Sequence, residues 1–157
     1  MTAVTLGELS YQAAVRALDL QERSLDQLRS RAGTVLAAAS LTASFLGAQT
    51  IQHQSTLGAV GVLALIALAI SIVSCLYVLL PKERFVFSVN APQMYNALFE
   101  VSDDLDEIHR RLAFWFEQYW AANQTIIDDL GRYFAVAAFA LILQLMLWCV
   151  ALAGTIA

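Results

Sequence analysis

Between Arg31 and Lys82 the chain runs through 50 residues without a charged side chain, and after Arg132 through a further 25. Nothing else constrains the fold as much. The apolar core of a bilayer is crossed by about 20 residues of helix, so the first stretch has room for two spans joined by a tight turn and the second for one. All nine Lys and Arg residues lie outside these stretches. A content of 59% hydrophobic against 14% charged residues departs from that of a soluble domain of this size. The fold expected is all-α and integral to the membrane: three transmembrane helices, an amphipathic N-terminal helix, and a long cytoplasmic helix before the third span.

The cations are also one-sided. Arg16, Arg23, Arg29 and Arg31 precede the first span, and Lys82, Arg84, Arg110, Arg111 and Arg132 separate the second from the third. The other connection, Gln52 to Ser55, carries none. Positive charge is retained on the cytoplasmic side. The expected location is therefore a bacterial inner membrane, with the N-terminus cytoplasmic and the C-terminus periplasmic or extracellular. A cleaved signal peptide is not expected, because residues 1–31 alternate polar and apolar.

Four segments follow: a cytoplasmic amphipathic helix (1–31), a transmembrane hairpin (32–80), a cytoplasmic helical segment (81–131) and a third transmembrane helix (132–157). In the first, Tyr11, Ala14, Leu18, Leu25 and Leu28 form an apolar stripe. The first span is read over 32–51 and the second over 57–80, stopping at Pro81. Residues 85–89 read as an extended or loop segment, Pro92 as a helix start, and Ser102 before Asp103 and Asp104 as a better one. Beyond it Leu105, Ile108, Leu112, Trp115, Tyr119, Ala122 and Ile126 recur at steps of three and four, the pattern of a coiled-coil seam. Tyr77 and Tyr133 suit the inner interfacial belt and Trp148 the outer one.

No enzyme is expected. His53 and His109 lack Cys or carboxylate neighbours at metal-binding spacing, no phosphate loop or nucleophile elbow is present, and neither a metal nor a cofactor is implied. Cys75 and Cys149 sit at different depths and read as small packing residues.

The spans carry more information. Ala39, Ala43 and Gly47 are spaced by four, as are Ser40, Ser44 and Ala48, and Ala67, Ser71 and Cys75 repeat the pattern. Such rows let helix backbones approach closely. Gln144 is the deepest strong hydrogen-bonding group and reads as an interhelical contact. Thr34, Thr42, Gln49 and Gln52 lie near one side of the first span and are the pore-lining candidates. Three helices cannot enclose a channel, so that reading requires a homo-oligomer, for instance a tetramer. The cytoplasmic aromatics exceed what one seam uses. Arg110 and Arg111 with Trp115, Tyr119 and Trp120 are candidates for binding a nucleotide, by phosphate attraction and base stacking. The plainer alternative is that the arginines pair with Asp103, Asp106 or Glu107.

The run LDQLRSRAGTVLAAASLTASFLG, residues 25–47, resembles the small membrane effectors of bacterial nucleotide-signalling defence, the SLATT and Pycsar-type transmembrane families. An amphipathic helix ends in an Arg-bearing turn, Arg29 and Arg31, and an Ala-rich span and a hairpin follow. The resemblance covers about half the chain, and the third span departs from the plainest two-span pattern. It implies an oligomeric pore controlled by a nucleotide or oligonucleotide, with a nucleotidyltransferase-like partner making the signal. Hailong, in which such a signal is thought to hold a channel shut, is a compatible architecture. The function expected is a homo-oligomeric ion channel or pore-forming effector in anti-phage defence. The alternative is a non-conducting membrane scaffold that anchors a cytoplasmic partner.

Overall fold

A computed structural model describes residues 5–53, 58–81, 85, 95, 98 and 104–156. Among these the chain is all-α, with three helices: α1 (Leu6–His53), α2 (Ala59–Leu79) and α3 (Leu105–Ile156).

Each boundary has a local cause. Thr5 caps α1 by accepting the Glu8 N–H on Oγ1 at 3.3 Å, in a Thr-x-x-Glu pattern that satisfies one free amide of the first turn. The C-terminal end of α2 is set by Pro81: the residue before a proline is pushed out of the helical region, and Leu80 has ψ 133°. Asp104 caps α3 by accepting the Asp106 N–H at 3.1 Å, and Asp106 and Glu107 place negative charge in the first turn. The expected starts at Pro92 and Ser102 and most of 85–89 lie outside the described residues; of the outer turn expected at Gln52 to Ser55, Gln52 and His53 are instead the last residues of α1 and the rest lies outside the described residues.

The contacts divide the chain into two units. The first holds residues 1–26 and 82–128. In it α1 and α3 lie side by side and parallel: Gly7 meets Asp106 near both N-termini, and Gln21 meets Gln124 further along. Leu18 and Leu25 of α1 are buried, as are Leu112 and Phe116 of α3. Two polar residues are buried with them, Gln21 and Asn123.

This burial shifts the seam expected on α3. Leu112 is buried and Tyr119 and Ile126 are half-buried, but the alternating positions are His109, Phe116 and Asn123, one residue beyond Ile108, Trp115 and Ala122. Ala122 is exposed. The reason is chemical: His109 and Asn123 are polar, so an apolar repeat passes over them. His109 is accommodated by stacking on Tyr11, with ring centroids 5.3 Å apart, and Tyr11 also lies 5.8 Å from Phe116.

The second unit holds residues 27–81 and 129–157. The buried face of α2 is built almost wholly from small residues, among them Gly61, Ala64, Ala67, Ser71 and Cys75. Ser71 donates its hydroxyl to the Ala137 carbonyl of α3 at 3.1 Å. On α1, Ala39 and Gly47 are buried, whereas the parallel row Ser40, Ser44 and Ala48 is exposed. Only one of the two small-residue rows is therefore used within the protomer. Trp148, expected at the lipid–water interface, is instead 1% exposed. Its ring packs on α1 beside Gly47, where a Cβ would stand 3.6 Å from the indole, an ordinary contact distance.

Among the described residues two helices are long and apolar enough to cross a membrane, α2 and the apolar stretch of α3. Only 33% and 22% of those stretches are buried. The core helix of a soluble protein would be covered by its own fold; these leave Val73, Phe139 and Met146 largely bare, which suits contact with lipid or with other helices.

Candidate functional site

In the first unit a groove of about 630 Å³ runs between α1 and α3. Its α1 wall is small (Gly7, Ser10, Ala13 and Ala17), and its α3 wall is aromatic (Phe114, Phe116 and Trp120) with Asp106, Arg110 and Glu117 among them. The mismatch in side-chain size creates the hollow, since alanines cannot fill the space that the aromatic side holds open. Past Trp120 a second hollow of about 290 Å³ is lined by Gln21, Ser24 and Gln124. Phe114 is 61% exposed, so the rim is an uncovered apolar surface.

Two polar contacts fix the walls. The Gly7 N–H donates to Asp106 Oδ1 at 2.8 Å, tying the first turn of α1 to the first turn of α3. Gln21 donates through Nε2 to the Trp120 carbonyl and to Gln124 Oε1, each at 3.0 Å. A buried amide at a helix seam specifies register at some cost in stability, and Gln21 Oε1, buried without a partner among the described residues, shows the cost.

The five nucleotide-binding candidates do not converge. Arg110 and Trp120 line the groove. Trp115 and Tyr119 pack on one another, ring centroids 6.0 Å apart, and neither they nor Arg111 are on its walls. Both arginines are engaged with one carboxylate: Arg110 forms two bonds to Glu107 at 2.9 Å, and Arg111 a third at 2.9 Å. Hydrogen bonds from Arg110 and then Arg111 hold the Glu107 carboxyl at about 2, below its ordinary 4.5, and Glu107 in turn raises the Arg110 guanidinium. An anion at this place has to displace Glu107 first.

A pH dependence follows. The Glu107 pKa is depressed on folding, so its stabilising effect is present above about 4.5 and is lost as pH falls towards about 2. Carbon-detected titration of the Glu107 carboxyl is expected to show a midpoint near 2, and Glu107→Gln to remove that part of the acid sensitivity of the α3 N-terminus. A midpoint near 4.5 would contradict the three-bond geometry.

In the second unit Gln144 is fully buried and donates Nε2 to the Ala39 carbonyl at 3.2 Å. It thus makes an interhelical contact between α3 and α1. Its Oε1 and the Trp148 indole N–H are buried without partners among the described residues. Thr34 is exposed and Thr42 half-buried; their hydroxyls donate to their own helix, at the Ser30 and Ala38 carbonyls. The side chains of Gln49 and Gln52 lie outside the described residues. Cys75 is buried as a packing residue, but Cys149 is exposed.

The uncovered faces of this unit differ in chemistry. On α2, the exposed positions from Val62 to Leu76 are aliphatic, as at Leu63, Ile66 and Val73. On α3 they include Val136, Phe139, Ile142 and Met146. On α1 they include Thr34, Ser40 and Ser44 beside Leu41 and Phe45. Among the described residues, then, hydroxyl groups stand uncovered in the middle of this unit on α1 and not on α2 or the apolar part of α3. Sequence periodicity missed Gln21 and Asn123, which are polar, and the Ala13 and Ala17 wall, whose signal was a second set of three- and four-residue steps on α1. No family model, curated protein or solved structure matches the chain.

Proposed function

We propose that this chain is a homo-oligomeric membrane protein whose copies together form an ion-conducting path, with α1 turned towards the axis. The observation that carries the reading is the set of hydroxyl groups that α1 leaves exposed. Thr34, Ser40 and Ser44 are exposed beside Leu41 and Phe45, while the outer faces of α2 and α3 are hydrocarbon, and hydroxyl groups in an apolar unit are best placed against water or against other helices. In this reading α1 contributes a third span over 32–51, Thr42, Gln49 and Gln52 are pore-lining candidates with Thr34 by their positions in the sequence, and a tetramer is a count that would enclose water. The one-sided cations support a cytoplasmic N-terminus and middle segment and an external C-terminus in a bacterial inner membrane. The amphipathic α1 start and the α3 seam form the cytoplasmic part.

Gating by a nucleotide or oligonucleotide, made by a nucleotidyltransferase-like partner in anti-phage defence, is what the resemblance at residues 25–47 adds. Arg110 and Trp120 support it by lining one groove, and Arg111, Trp115 and Tyr119 would have to act from outside that groove. A signal moves such a path only by binding its open and closed forms unequally. The rival reading, a non-conducting scaffold, is favoured by the same exposed groove, which suits a partner helix.

The test is ion flux from liposomes carrying the purified chain. Flux that rises more steeply than linearly with protein density, and that changes when a nucleotide is added, is the expected result. Liposomes that stay tight at every density and with every nucleotide, while a second protein binds the groove, would replace the channel by the scaffold.

A further inference from the structure

We infer that the second unit binds the headgroup phosphate of an anionic phospholipid at Arg29, beside the open flank of α1 at Gly33. The inference rests on the membrane residence proposed above and does not need conduction.

The charges of this unit are few and sorted. Over 27–81 and 129–157 the charged side chains are Arg29, Arg31, Asp129 and Arg132, all placed just before an apolar stretch. Asp26 precedes Arg29 on α1, and Asp128 and Asp129 precede Arg132 on α3, so each helix runs from acid to arginine to hydrocarbon. Acids placed further out than the arginines leave the arginines at the depth of the lipid phosphates.

The depth agrees. Gln144, midway along 132–157, bonds to Ala39 of α1. Arg29 lies roughly 15 Å from Ala39 along α1, half of a hydrocarbon core about 30 Å thick. Tyr133 lies about 17 Å from Gln144 along α3, and its ring meets that of Tyr77 at 4.1 Å. Both tyrosines are exposed, at the depth where such rings sit among headgroups.

Arg29 differs from the other two arginines. Arg132 is 81% exposed and its charge is met by Asp129 at 3.2 Å. Arg31 is exposed. Arg29 is half-buried, and its Nε is closed off without a partner among the described residues. Neither Arg29 nor Arg31 is in an ion pair among those residues. A guanidinium that has lost part of its water is costly unless an anion meets its remaining N–H groups, and its planar fork matches two oxygens of a phosphate. One turn further into the apolar stretch, on the same side of the helix, is Gly33, where a Cβ would meet nothing within 4 Å among the described residues. The glycerol and first acyl carbons of a lipid held at Arg29 have room there. Three cations against one anion in the unit favour a lipid of net negative charge over a zwitterionic one.

Diffuse attraction to an anionic surface acts on every exposed arginine alike, whereas a site singles out Arg29. The experiment measures, by native mass spectrometry of the detergent-purified full-length chain, retention of phosphatidylglycerol against phosphatidylethanolamine. One phosphatidylglycerol per chain is expected. Arg29→Gln weakens its binding about thirtyfold, the scale of a lost charged hydrogen bond, Arg31→Gln at most about fivefold, and Arg132→Gln leaves it unchanged. Arg29→Lys, which keeps the charge without the fork, recovers part of the loss. Gly33→Leu fills the open flank, leaves every charge in place and weakens retention by itself. Equal losses at the three arginines, equal retention of the two lipids, or displacement of the lipid by excess inorganic phosphate overturns the inference. Flotation with vesicles of each lipid separates it from the reading beneath it. A chain that floats with both and shows no dependence on Arg29 keeps the membrane and loses the site, whereas a chain that floats with neither loses both.

Discussion

Trp148→Ala lowers the stability of the second unit by about 3–5 kcal/mol, the cost of emptying a fully packed aromatic site that cannot collapse. The indole is 1% exposed and lies against Gly47 of α1, where no Cβ intervenes. Equilibrium unfolding in mixed detergent, followed by helical signal, measures it. Two companions separate packing from polarity. Trp148→Phe keeps most of the ring and removes an indole N–H that has no partner among the described residues, so it costs much less than the alanine variant. Gly47→Ala adds a methyl at ordinary contact distance, 3.6 Å from the ring, and is tolerated. If Trp148→Ala and Trp148→Phe unfolded alike, the buried position of the ring would be wrong.

Gly7→Val is the second large effect, about 1–3 kcal/mol against the first unit. A Cβ at Gly7 overlaps both the backbone carbonyl and the carboxylate of Asp106, and the Gly7 N–H is the donor that binds that carboxylate. A flexible side chain can swing away, but the backbone carbonyl at the start of a helix cannot. Asp106→Ala alone therefore costs no more than a lost cap, about 1 kcal/mol, and does not rescue Gly7→Val. Hydrogen exchange across residues 6–24 and 105–127 is the readout: protection is lost from the helix starts inward. Full rescue by Asp106→Ala would mean that only the carboxylate stood in the way.

The apolar lengths of α2 and α3 were legible in the sequence because hydrocarbon length is a strong, one-dimensional signal, and Pro81 marked where α2 stops. The α1 stripe was legible at Leu18 and Leu25. The α3 seam was half legible: Leu112 obeys the apolar repeat, but His109 and Asn123 hold the alternate positions through stacking and burial that depend on the partner helix. Trp148 was misread because an aromatic near the end of a span looks the same in sequence whether it faces headgroups or a glycine. The pairing of both Arg110 and Arg111 with Glu107 was legible only as one of several helical spacings, since choosing the carboxylate requires rotamers. The groove was not read at all, because alanines define it by what they leave unfilled.

The most direct test of the central claim, that α1 faces a water-filled path shared by several copies, is block of flux by a water-soluble thiol reagent. It is applied to liposomes of Thr34→Cys and, separately, Val73→Cys, both in the Cys149→Ser background. The account predicts that modification at position 34 abolishes most of the flux while modification at position 73, on the aliphatic face of α2, leaves it unchanged. Equal insensitivity at both positions, or block at 73 and not at 34, would contradict it.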